Sequence, residues 1–345
     1  MHELRHDPFQ RRWVIIASER TRRPLDLHER GCGAPVPAEH CPFCPGNEAM
    51  TTPPIRTLTE AGDWQLRVVP NRYPALRIEG ELEREGVGLF DRMSAVGAHE
   101  VVIETPQHEL GMADMSTVQL DRILEVYRER LVDLYRDPRL RYVLIFKNHG
   151  VPAGASQSHS HSQIIATPVT PRTIVTELQV AREHYQLKER CLYCDVIRDE
   201  LRSGERVVQA DSAFVVLAPY ASRFPFELMI LPREHGCRFE TITPEQRGAL
   251  ARVLRDSLKR LSLCLDDPPY NVMLHTAPNL RRLENNPEPD WFHTLQVDYH
   301  WHIEIIPRLT RIAGFEWGTG FYINPTAPET AARFLRKADP YAEPE

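Results

Sequence analysis

The run His159-Ser160-His161-Ser162-Gln163-Ile164-Ile165 has an echo in His300-Trp301-His302-Ile303-Glu304-Ile305-Ile306. This internal repetition constrains the fold more than any other feature, because what precedes each copy repeats too. A Cys-x-x-Cys pair comes first, Cys41/Cys44 and then Cys191/Cys194. Strand-like runs follow at 100–104 in the first half, and at 214–217 and 227–231 in the second. A helix comes next. Ser116 can cap one that runs to about Tyr135, with Leu120, Ile123, Leu124, Tyr127, Leu131 and Leu134 near helical spacing. Thr243-Pro244-Glu245 starts its counterpart, which runs through about Leu263. One more strand, 142–146 or 271–275, then leads to each His-x-His. The pattern predicts an α+β fold made of a duplicated unit, 1–175 and 176–345. Each unit is an antiparallel sheet with a packed helix, and the two share a continuous sheet or a pseudo-twofold interface. Residues 12–17 read as a further strand, 168–190 as a connector with one partly helical segment, and the tail from Ala327 as a surface helix with a frayed end.

Only the first copy is preceded by a glycine- and serine-rich loop, Asn148 to Ser158. Gly150 and Gly154 let that loop turn and bring its amides close to a ligand. Successive amides of this kind form a concave site for phosphate oxygens, and Ser156 and Ser158 add hydroxyl donors. In an extended chain, residues two apart point to the same side. The stretch therefore offers an anion cradle followed by two imidazoles, His159 and His161, facing one way. The second copy carries Glu304 where the first has Gln163. A carboxylate repels a phosphate, whereas an amide can donate to it. The first half is therefore expected to be catalytic and the second structural.

Composition narrows the classes. With 345 residues the chain can bury a sizeable core and hold two domains. A net charge of −6 gives no basic footprint for nucleic acid. No apolar run is long enough to span a bilayer, and no signal-peptide pattern opens the chain. A cytoplasmic protein is expected. Of seven cysteines, four lie in the two pairs, and Cys32, Cys237 and Cys264 are left over. An odd count in such a chain argues for metal ligation over disulfides. Pro45 and Gly46 spoil the helix that a redox Cys-x-x-Cys would open, so Cys41 and Cys44 read as half of a tetrahedral zinc site.

Ser158-His159-Ser160-His161-Ser162-Gln163 resembles the active-site motif of the galactose-1-phosphate uridylyltransferase branch of the histidine-triad superfamily. The hydrolase branch carries His-x-His-x-His, and Gln163 stands where its third histidine would be. The run is also similar to that of the ADP-glucose phosphorylase subgroup. The likeness extends from about Glu3 to the Asn324-Pro325 region. It implies histidine-triad-like units, an enzyme of carbohydrate (galactose) metabolism and a homodimer with shared sites. The resemblance also implies site residues. Arg20 and Arg23 match a diphosphate-contacting Arg-x-x-Arg-Pro element. Phe43 matches an apolar residue that touches the nucleotide base. Asn71 and Tyr73 match another nucleotide-site element, in which Arg72 replaces the usual acidic residue. Phe315, Glu316, Thr319 and Tyr322 fall in a segment that binds hexose phosphate, often in the neighbouring subunit's site. His108 matches the third zinc ligand, completing Cys41, Cys44 and His159. Cys191, Cys194, His235 and His300 mirror that set. A glutamate-and-three-histidine site of some members falls on Glu177, His275, His300 and His302. The cysteine set is favoured for the second metal, because two thiolates bind zinc more strongly than carboxylate does. Iron or another metal is the alternative.

The chemistry expected on this reading is covalent. Neutral imidazole attacks well near pH 7, its unperturbed pKa being about 6.5. His161 would attack the α-phosphorus of a nucleoside-diphosphate sugar, expel hexose 1-phosphate and pass the nucleotide to a phosphate-bearing acceptor. Ser156, Asn148, Gln163 and the loop amides, Gly154 among them, would stabilise the phosphoryl oxygens. The leading expectation is a UDP-glucose:hexose-1-phosphate uridylyltransferase, with an ADP-sugar phosphorylase using inorganic phosphate as the near rival. A histidine-triad nucleotide hydrolase is a third possibility, against which Gln163 argues.

Overall fold

The structure is a computed structural model and describes residues 2–18, 37–280 and 293–341. The strands are β1 His2–His6, β2 Trp13–Ala17, β3 Arg56–Glu60, β4 Asp63–Pro70, β5 Arg84–Val87, β6 Phe90–Met93, β7 Ala98–Ile103, β8 Tyr142–His149, β9 His161–Thr167, β10 Val207–Ala210, β11 Phe214–Leu217, β12 Leu228–Pro232, β13 Tyr270–His275, β14 His302–Pro307 and β15 Tyr322–Asn324. The helices are α1 Thr117–Leu134, α2 Arg172–Lys188, α3 Leu192–Ser203, α4 Pro244–Leu265, α5 Leu295–Asp298, α6 Gly314–Thr319 and α7 Pro328–Lys337.

Ten strands form one sheet in the order β10-β11-β12-β14-β13-β8-β9-β7-β4-β3. All its neighbours are antiparallel. The order reads the same from both edges: each half gives five strands, and the halves meet where β13 pairs with β8, Asn271 opposite Asn148. This is the expected duplicated α+β architecture with a shared sheet. The His-x-His strands, β14 and β9, flank that junction.

The caps work as the sequence proposes. Ser116 Oγ accepts from the Gln119 N–H at 3.1 Å, and Thr243 forms a capping box with Gln246 at the head of α4. The apolar stripes of α1 and α4 fill the core on one face of the sheet, through Leu120, Ile123, Leu250 and Leu254. The two helices also meet each other. Arg247 of α4 donates to both oxygens of Asp121 at 2.8 and 3.0 Å and pairs with Glu125. Arg130 of α1 grips buried Glu100 of β7 through two hydrogen bonds of 2.8 and 2.7 Å, a bidentate pair that fixes helix against sheet. A second core, built from α2, α3 and the other face, contains Tyr193, Leu178 and Tyr299.

Two sequence expectations change, and one element takes a form the sequence left open. The connector at 168–190 is a continuous helix over most of its length, since nothing in α2 breaks it once Pro171 has set its start. The second cysteine pair opens helix α3, with Cys191 at its N-cap, whereas the first sits in turns before Pro45. The tail helix α7 is not purely a surface element: Ala331, Ala332 and Leu335 are buried, and the latter two join the main core. Outside the large sheet, β15 runs parallel to β2 beside β1, and β5 with β6 makes an isolated hairpin.

Candidate active site and metal centres

The segment between β8 and β9 carries the candidate site. Gly150 has φ 78° and ψ 150°, a region open essentially to glycine alone, and a Cβ there would lie 2.9 Å from Pro269. Gly154 sits at φ 92°. Between them the chain makes one tight turn, after which Ser156 and Ser158 are exposed. Among the described residues the Ser156 hydroxyl makes no hydrogen bond. Asn148 is held at the base of the loop: its Oδ1 accepts from Asn271 Nδ2 at 2.8 Å, and the same Nδ2 donates to the Ala153 carbonyl at 2.8 Å.

The two histidines play different parts. His159 is fully buried and donates through Nε2 to the Thr105 carbonyl at 2.8 Å. That bond leaves Nδ1 free to face sulfur: it lies 3.6 Å from Cys41 Sγ and 3.4 Å from Cys44 Sγ. His108 Nδ1 lies 3.1 Å from Cys44 Sγ. The four donor atoms of Cys41, Cys44, His108 and His159 all fall within 4.8 Å of one another. Two thiols and two imidazoles suit a tetrahedral ion, with the far nitrogen of His159 tied to a carbonyl as metal-bound histidines usually are.

His161 turns the other way round. Its Nδ1–H donates to the His159 carbonyl at 2.8 Å, so the Nε2 lone pair is uncommitted. Burial, then the Lys147 charge, lower its pKa below the ordinary value. The imidazole is therefore neutral near pH 7, as a nucleophile must be. Phe43, half-buried, lies 5.3 Å from it ring to ring. Beneath the strand, Glu104 is completely buried. It accepts from Lys147 Nζ and Ser160 Oγ, both at 2.6 Å, and from Ser162 Oγ. Lys147 Nζ also donates to the His161 carbonyl at 3.1 Å. Burial alone would raise the Glu104 pKa, but the Lys147 charge and these hydrogen bonds hold it below the ordinary value.

The second half repeats the metal geometry. Cys194 Sγ lies 3.5 Å from His235 Nδ1 and 3.7 Å from His300 Nδ1, and Cys191 completes the group. His300 Nε2 donates to the Pro232 carbonyl at 2.9 Å. His300 therefore faces the cysteines. Glu177, His275 and His302 form a separate buried group of three, in which Glu177 accepts from His275 Nδ1 at 3.0 Å and from Tyr299 at 3.0 Å. Zinc or iron ligation fits these donor sets by their chemistry.

The other expected site residues are scattered more widely. Asn71 is near the site, its Nδ2 3.0 Å from His99 Nε2. Tyr73 is 82% exposed, with the Arg72 guanidinium 5.9 Å from its ring. Arg20 and Arg23 lie outside the described residues. Phe315, Glu316 and Thr319 belong to α6, where Glu316 caps the Ala313 N–H at 3.0 Å. Tyr322 packs on Phe224. Among the described residues none of these four touches His161, Ser156 or Gln163 of its own chain. Sequence reading missed His99, Lys147 and Glu104. An acid and a base inside apolar strands were the available signal, since buried charges come in pairs.

The family models decide the kinship. The N-terminal domain of galactose-1-phosphate uridyl transferase matches residues 1–171 and its C-terminal domain residues 177–340. The chain belongs to this family. It is an enzyme of the nucleotidyltransferase class that the family comprises. Among its relatives, ADP-glucose phosphorylase of Arabidopsis thaliana is 36% identical over 97% of this chain and 92% of the relative. Galactose-1-phosphate uridylyltransferase of Thermotoga maritima is 30% identical over 98% and 99%. Of solved structures, the Arabidopsis ADP-glucose phosphorylase with bound ADP-glucose superposes with a TM-score of 0.83 at 33% identity, covering 98% of this chain and 100% of that one. A uridylyltransferase gives 0.72 at 28% identity, covering 97% of each. No helix of the described residues is long and apolar enough to cross a membrane.

Proposed function

We propose that the protein transfers a nucleoside monophosphate from a nucleoside-diphosphate sugar to a phosphate-bearing acceptor through a nucleotidyl-His161 intermediate. The posture of His161 carries this reading: Nδ1–H is spent on the His159 carbonyl, so the Nε2 lone pair is the reacting one. Nε2 attacks the α-phosphorus, the bond to the bridging oxygen breaks, and hexose 1-phosphate leaves with the electron pair. An acceptor phosphate oxygen then attacks the same phosphorus and returns neutral His161. Ser156, Gln163, Asn148 and the loop amides donate to the phosphoryl oxygens. The residues from 1 to 175 do this work, and those from 176 to 345 support it as the second arm of the sheet. Phe43, Asn71, Tyr73, Arg20 and Arg23 form the nucleotide side. Phe315, Glu316, Thr319 and Tyr322 serve the sugar-phosphate side of a neighbouring copy in a cytoplasmic homodimer.

Zinc at Cys41, Cys44, His108 and His159 would fix His159, and through it the position of His161, without entering the reaction. The Cys191 set would hold a second structural zinc. Glu177, His275 and His302 would suit iron or another divalent metal.

For the donor, the greater identity to ADP-glucose phosphorylase and the 0.83 superposition favour ADP-glucose with inorganic phosphate as acceptor. UDP-glucose with a hexose 1-phosphate is the second reading, supported by the full-length likeness to the Thermotoga enzyme. Initial-rate kinetics with both pairs test this. Parallel double-reciprocal lines are expected, because donor and acceptor never share the site. Intersecting lines with both pairs would contradict a covalent intermediate.

A further inference from the structure

His99 stands on β7, whose next residue but one, Val101, lies opposite Gln163 of β9. Its two ring nitrogens have different partners. The backbone N–H of Ala75 donates to Nδ1 at 3.1 Å. A backbone amide can only donate, so Nδ1 carries no proton and the neutral ring carries it on Nε2. Nε2 lies 2.7 Å from Gln163 Oε1, so Nε2–H donates to that oxygen. Asn71 Nδ2 also lies 3.0 Å from this nitrogen, but an NH2 has nothing to accept with and leaves Nε2–H to Gln163. Asn71 cannot turn its oxygen in, because Asn71 Oδ1 already accepts the Tyr73 N–H at 2.8 Å. A donor, Nε2–H, thus faces the inward end of the Gln163 carboxamide, and the oxygen is the end that fits it. Among the described residues the Gln163 NH2 has no acceptor. Gln163 and His161 are two apart on one strand and share a face, so that NH2 is left for a ligand at His161.

We propose that His99 is a positioning residue which, as the Nε2–H tautomer, locks the Gln163 carboxamide with its oxygen inward and its NH2 toward the phosphoryl group at His161. An unlocked carboxamide can present either end. In the wrong orientation it sets an oxygen against a phosphoryl oxygen, which is repulsive, in place of a donor. The proposal deepens the reading of Gln163 as a phosphoryl donor and rests on it.

Two measurements on the metal-loaded protein test it. Long-range proton–nitrogen NMR of the histidine side chains reads the tautomer without substrate. The expected result is Nε2–H for His99, with a signal that shifts in Gln163→Ala; an Nδ1–H tautomer, or no shift, would overturn the lock. The second is a double-mutant cycle on the single-turnover rate of His161 nucleotidylation at saturating ADP-glucose or UDP-glucose. His99→Leu should slow it about tenfold, roughly the worth of one neutral hydrogen bond, with the half-saturating concentration little changed. His99→Asn, which keeps a donor, should recover much of the loss. In a Gln163→Ala background, His99→Leu should cost less than about twofold, since the group it orients is gone. Full additivity would show that His99 acts elsewhere. Should the wild type form no adduct with either sugar, the functional reading falls, and the tautomer measurement still decides the lock.

Discussion

His161 and Gly150 set the terms at the scale of single residues. Because burial and Lys147 lower the His161 pKa, its neutral form persists to lower pH than an ordinary histidine allows. Protonation removes the attacking lone pair, so the nucleotidylation rate should fall only as pH drops below the ordinary value of about 6.5. A midpoint at or above that value, in a single-turnover pH profile, would contradict the assignment. Gly150→Ala should destabilise the protein by about 1–3 kcal/mol, the cost of an L-residue in a glycine-only conformation. It should also distort the loop, and denaturant unfolding with nucleotide-binding measurements would read both effects. The glycine turn and the buried histidine pair that follows it were legible in the sequence, because glycine, serine and histidine at these spacings allow few other conformations. His99 was not: it reads as one more polar residue before an apolar strand, and only the register of β7 on β9 brings it to Gln163.

Among the elements, β8 and the end of β7 are tied across β9 by a charge pair that the sequence concealed. Lys147 and Glu104 are both buried, and removing one leaves the other unpaired. Lys147→Met should therefore cost about 3–5 kcal/mol, and Glu104→Gln with Lys147→Met should recover part of it. Equal stability of the single and double variants in urea would refute the coupling. The pair also sets an acid limit. Glu104 has a folded-state pKa below its unfolded value of about 4.3, so its contribution is full above that value and is lost as pH falls through the folded one. The first cysteine knuckle carries a different prediction. In the metal-free chain, burial and Cys41 push the Cys44 thiol up to about 11. Zinc binding must then displace a proton there, so uptake by the apoprotein should acidify a weakly buffered solution. Uptake with no proton release would mean that the thiols are not ligands. The helices α1 and α4 were readable from caps and apolar spacing. Helix α2 was obscured because it opens at Pro171 with no side-chain cap, and β5, β6 and β15 were obscured by their brevity.

The whole molecule is built on a pseudo-symmetric sheet whose two His-x-His strands differ in their surroundings, Gln163 in one standing where Glu304 stands in the other. The duplication was visible in the sequence because Cys-x-x-Cys and His-x-His pairs are conspicuous at any distance along a chain. Which metal set claims His300 was not, since Cys194 and Glu177 compete for it on paper and only its Nδ1 contact with Cys194 separates them. The central claim is that the first arm of this sheet holds a nucleotide covalently. Intact-protein mass after brief exposure to ADP-glucose, and separately to UDP-glucose, tests it most directly. The expected result is a gain of one nucleoside monophosphate, an AMP-sized gain favouring the phosphorylase reading and a UMP-sized gain the uridylyl one. His161→Ala should lack it while keeping its metal and fold. An adduct that survives in His161→Ala, or no adduct with either sugar, would contradict the account.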